Sequence, residues 1–87
     1  MPANPMPSWF PFLRIEADLA MTFIGLAKNH LDPEHSSWSL ENARKALAEI
    51  QRRLINPTRH GLSEHEIVFL SQRCTEIESA LRAASPA

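Results

Sequence analysis

The sequence predicts an all-α fold, an antiparallel up-down-up three-helix bundle behind a Pro-rich extended N-terminal arm. Three observations carry that prediction. Apolar residues recur in steps of three and four through three blocks of roughly twenty residues each. Pro-containing breaks at Asp32-Pro33 and Asn56-Pro57 divide those blocks. Gly occurs twice and Tyr not at all, which disfavours a sandwich or barrel built on many tight turns.

Residues 1–11 read as the arm. Pro2, Pro5, Pro7 and Pro11 each restrain the residue before them to extended backbone, so no helix is expected there. The arm carries Trp9 and Phe10, aromatic residues that a purely solvated tail lacks, and they are expected to dock on their own bundle or on a second chain.

The remainder, 12–87, reads as a single three-helix domain. Helix one is expected over about 12–30 and carries two apolar stripes. Phe12, Ile15, Leu19, Phe23 and Leu26 form the first; Leu13, Ala17, Ala20, Ile24, Ala27 and Leu31 form the second. A helix this apolar needs cover on more than one side. Helix two is expected over 33–55, with Asp32 as N-cap and Pro33 at the first helical position. The weak helix formers Ser36-Ser37-Trp38-Ser39 also allow a start at Ser37 or Ser39. Leu40, Ala43, Leu47, Ile50 and Leu54 mark its seam, and Asn56 before Pro57 ends it. Helix three is expected over 63–84. Ser63 and Glu66 fit a capping box, and Leu62 with Ile67 the hydrophobic staple around it. Ile67, Leu70, Cys74, Ile77, Leu81 and Ala84 trace its seam, and Ser85-Pro86 closes it.

Composition narrows the function. With 87 residues, the chain has room for one domain and a small core. At 44% hydrophobic and 22% charged, it matches a soluble globular chain rather than a disordered one. A net charge of −1 lacks the basic excess expected of a nucleic-acid-binding domain. The prolines before Phe12 interrupt any signal-peptide or membrane-spanning pattern, and one free Cys fits a reducing compartment, so a cytoplasmic protein is expected.

Most of the charge serves the helices. Glu41–Lys45, Glu49–Arg53 and Glu78–Arg82 are spaced i, i+4 with Glu first, the supportive orientation. The clusters that remain are weak as chemistry. His30 and His35 flank one connection and His60 and His65 the other, at opposite ends of the expected bundle. A spacing of five separates members of a pair by roughly 140° on a helix, unlike a helical zinc pair. Cys74 sits on a core seam, where burial raises a thiol's pKa and quenches nucleophilicity. Arg52, Arg53 and Arg59 cluster near one helix end without a Gly-rich phosphate loop or interleaved aromatics. No nucleophile–base set or paired carboxylates appear, and neither enzymatic activity nor a cofactor is expected.

What is left over is apolar surface. Trp9, Phe10, Phe23, Ile24, Trp38 and Phe69 are the expected partner-binding residues, acting as buried aromatic and aliphatic anchors. The layout resembles the small three-helix interaction domains of the microtubule-interacting-and-trafficking type, which bind helical peptides in a groove between helices; the resemblance is one of architecture. The expected role is protein–protein association, with a homodimer formed through apolar helix faces. Two alternatives come from other classes: a metal or small ligand held by His30, Asp32 and His35, and a nucleic-acid contact through Arg52, Arg53 and Arg59. No membrane partner is expected.

Overall fold

A computed structural model describes residues 8–29 and 32–84. The prolines at 2, 5 and 7, His30, Leu31 and the closing Ser85-Pro86 lie outside the described residues. Three helices, α1 (Phe10–Asn29), α2 (Pro33–Ile55) and α3 (Glu64–Ala84), make up the fold, with a 3₁₀ turn at Pro57–His60 between the last two.

α1 begins two residues before its expected start. The Leu13 N–H donates to the Trp9 carbonyl at 2.9 Å, which makes Trp9 the capping residue. Pro11 therefore lies inside the first turn, where its missing N–H has no intrahelical acceptor to lose. Ser8 Oγ accepts from the Phe10 N–H at 3.2 Å and donates to the Gly61 carbonyl at 3.3 Å. These bonds tie the entry of α1 to the loop before α3.

α2 starts at the early candidate. The Asp32 carboxylate accepts the Glu34 N–H at 3.0 Å, and Pro33 takes the first helical position. That cap carries the helix through the serine run. α3 starts on a closed capping box: the Ser63 N–H donates to Glu66 Oε1 at 2.8 Å, and the Glu66 N–H to Ser63 Oγ at 3.2 Å. Leu62 beside it is buried, and Ile67 packs on the core. In the connection, Gly61 takes φ 68°, a left-handed conformation open to Gly without Cβ strain. It ends the 3₁₀ turn by donating to the Thr58 carbonyl at 3.1 Å.

The three helices share one core. α2 contributes Leu40, Ala43, Leu47 and Ile50 from its expected seam; α3 contributes Leu70, Cys74, Ile77 and Leu81. From α1 come Leu13, Ala17, Ala20, Ile24 and Ala27, the second of its two stripes. Three alanines in that stripe let α1 approach its neighbours closely, which a stripe of Phe and Leu does not permit. Ile24, expected to face a partner, is 2% exposed and belongs to the core. It sits about 20° around the helix from Ala17 and about 60° from Ala27, inside the small-residue stripe.

Contacts at the helix ends and middle join the elements. The Trp9 N–H donates to the His60 carbonyl at 3.1 Å at the start of α1. Ser36 Oγ donates to the Ala27 carbonyl at 3.0 Å where α1 ends and α2 begins. Midway, Arg73 of α3 pairs with Asp18 of α1 at 3.1 Å and with Glu76 at 3.0 Å.

Candidate functional site

With the alanine-rich stripe turned inward, the large side chains of the other stripe face out. Phe12 is 45% exposed, Ile15 55%, Leu19 42% and Leu26 43%, and Phe23 is half-buried among them. At 100° per residue these five fall within about 80° of one another, so they form one face. Monomeric proteins expose single apolar residues freely, but a contiguous row of large ones marks an interaction surface.

The row continues onto α2. Phe23 meets Trp38 edge to face with ring centroids 5.7 Å apart, and Trp38 is 57% exposed. Between the two helices runs a groove of about 380 Å³, with Phe12, Glu16, Leu19 and Phe23 on one wall and Asn42, Lys45, Ala46 and Glu49 on the other. Lys45 also reaches Glu41 at 3.9 Å. The groove mixes apolar side chains with charges of both signs.

The remaining expected anchors lie elsewhere. Trp9 packs within its own chain. The Arg53 guanidinium lies 3.9 Å above its ring, and Phe12 and His60 meet it edge to face at 5.4 and 5.8 Å. Phe10 turns to the α3 side and meets Phe69 at 5.6 Å; Phe69 is half-exposed. Of the six expected anchors, Phe23 and Trp38 belong to the outer row, Trp9 adjoins it at Phe12, Phe10 and Phe69 form a separate pair, and Ile24 is buried. Phe12, Ile15, Leu19 and Leu26 are missing from the expected set. The signal for them was the alanine content of the competing stripe.

The ionisable groups have local duties. Asp32 Oδ2 lies 2.9 Å from His35 Nδ1; that hydrogen bond, with the Glu34 N–H, holds the Asp32 carboxyl below its ordinary range. The expected trio of His30, Asp32 and His35 thus has its carboxylate engaged in a helix cap, and His30 lies outside the described residues. Among the described residues, no three His, Cys, Asp or Glu side chains come together as metal ligands. Arg52 and Arg53 both bond Glu49, Arg53 at 2.8 Å. Chiefly through Arg52, and then Arg53, they pull the Glu49 carboxyl below the usual carboxylate range. Two arginines of the basic cluster are thereby committed to an ion pair, and Arg59 stands apart, exposed on the 3₁₀ turn. Burial, aided by the charge of Glu78, pushes the Cys74 thiol up to about 11. At neutral pH it is a protonated core side chain.

No described helix is long and apolar enough to cross a membrane. Compared with known protein families, with characterised proteins and with solved structures, the chain matches none.

Proposed function

We propose that this protein is a small non-enzymatic association module that self-associates through the outer face of α1. The observation that carries the reading is the row Phe12, Ile15, Leu19, Leu26: four large apolar side chains, each more than 40% exposed, on one face of one helix. Covering a half-exposed side chain of this size is worth about 1 kcal/mol, so a full row supplies a real driving force. Phe23 and Trp38 extend the surface toward α2. Trp9 and Phe10 act within the chain, pinning the entry of α1 so that the row is held on a rigid helix.

The proposal includes the antiparallel up-down-up arrangement. The bond from Trp9 to His60 joins the start of α1 to the turn before α3, and that from Ser36 to Ala27 joins its end to the start of α2. Both support α2 running against α1 and α3 running with it.

Leu19→Glu tests the function. The side chain is exposed in the single chain, so helicity by circular dichroism is expected to stay within a few per cent of the unsubstituted protein. Sedimentation is expected to change from dimer to monomer. An unchanged dimer in this variant means that the outer face of α1 is not the interface.

A further inference from the structure

We infer that the occupant of the α1 face is a second copy of the chain lying antiparallel to the first, with Leu19 on the two-fold axis. This rests on the self-association proposed above and adds the register.

A two-fold interface is isologous: where residue i meets j, residue j meets i. In an antiparallel helix pair, the two numbers at every rung have the same sum. The outer row falls at Phe12, Ile15, Leu19, the half-buried Phe23 and Leu26, in steps of three, four, four and three. That spacing reads the same in both directions about Leu19. Leu19 then meets itself, Ile15 meets Phe23, and Phe12 meets Leu26. Every rung is apolar on both sides.

Neighbouring registers lose this match. Sliding one copy by a turn in one direction sets Leu26 against Glu16; sliding it in the other sets Phe12 against Thr22 and Phe23 against Pro11. A parallel pair also matches apolar with apolar, but it stacks Phe on Phe at two rungs and Ile or Leu on its own kind at the others. Rungs of unequal bulk hold two helices at uneven spacing and leave gaps. The antiparallel register sets each Phe against an aliphatic side chain, and it aligns the helix dipoles favourably. A shallow crossing of about 20° keeps all the rungs in contact.

The charged edge fits the same occupant. Beside the row, α2 presents Lys45 with Glu41, and Glu16 of α1 lines the same groove. An edge of both signs can face its own copy with unlike charges in reach, whereas an edge of one sign would repel it.

Site-specific disulfide formation tests the register in the full chain, with Cys74→Ala removing the native thiol. Leu19→Cys puts one thiol from each copy on the axis, within disulfide reach. Ile15→Cys puts the two thiols about eight residues apart along the helices, about 12 Å and beyond that reach. Under mild oxidation, Leu19→Cys is expected to form covalent dimer at least tenfold faster than Ile15→Cys. Equal or faster crosslinking of Ile15→Cys overturns the antiparallel register. Crosslinking of neither, while the unsubstituted chain still measures as a dimer, overturns the register and leaves self-association standing. A monomeric unsubstituted chain removes both. A second measurement does not depend on cysteines: Phe12→Lys and Leu26→Glu chains, each weakened alone, are expected to form a mixed dimer at least tenfold tighter than either self-pair. No preference for the mixed dimer overturns the pairing of those two rungs.

Discussion

Arg53 is held from two sides. One nitrogen bonds Glu49 at 2.8 Å, and the guanidinium plane is covered by the Trp9 ring. Its Nε is buried without a hydrogen-bond partner among the described residues, beneath the Trp9 ring. Trp9→Ala is expected to cost about 1–3 kcal/mol, below the figure for a fully buried Trp, and to lower the melting temperature with the oligomeric mass unchanged. A loss of mass with no change in melting temperature would assign Trp9 to the partner instead. Cys74 supplies a pH test. Its folded pKa of about 11 lies above the ordinary 9.0, so the stability linked to its proton is complete below pH 9 and is lost as pH rises toward 11. Urea midpoints measured across that window are expected to fall, and Cys74→Ala to flatten the fall. The buried place of Cys74 was legible because seam periodicity is a local signal. The contact of Trp9 with Arg53 was not, because no local rule joins residues so far apart in sequence.

Within elements, adjacent residues of α1 have opposite consequences. Ala20 is fully buried and Leu19 is 42% exposed. Ala20→Leu is expected to overpack the core by about 1–3 kcal/mol, seen as a lower urea midpoint. Leu19→Ala is expected to leave the fold of the single chain nearly unchanged and to weaken association. At the start of α3, Ser63→Ala removes the acceptor of the Glu66 N–H and is expected to cost about 0.5–2 kcal/mol. Helix starts at Asp32 and Ser63 were legible because caps have short-range chemistry. The entry of α1 at Phe10 was not, because it depends on bonds from Ser8 and Trp9 to Gly61 and His60 across the fold. Periodicity showed two stripes on α1 without ranking them. Their ranking came from the closeness that Ala17, Ala20 and Ala27 allow, a property of packed helices and not of one helix.

At the scale of the molecule, a small core and a wide apolar helix belong together. The chain cannot bury both faces of α1 with three helices, so it buries the alanine-rich face and leaves Phe12, Ile15, Leu19 and Leu26 exposed, the face proposed above for association. Acid acts on the fold through Glu49, whose carboxyl is held below its ordinary 4.5 by Arg52 and Arg53. The stability linked to it is complete above that value and is lost as pH falls through the lower folded one. Glu49→Gln is expected to blunt the acid limb of the unfolding curve. The most direct test of the central claim is the absolute mass of the unsubstituted chain, by light scattering after size exclusion, across a range of concentrations. Self-association through α1 gives twice 9.8 kDa, falling toward 9.8 kDa on dilution. A mass of 9.8 kDa at every concentration would contradict it.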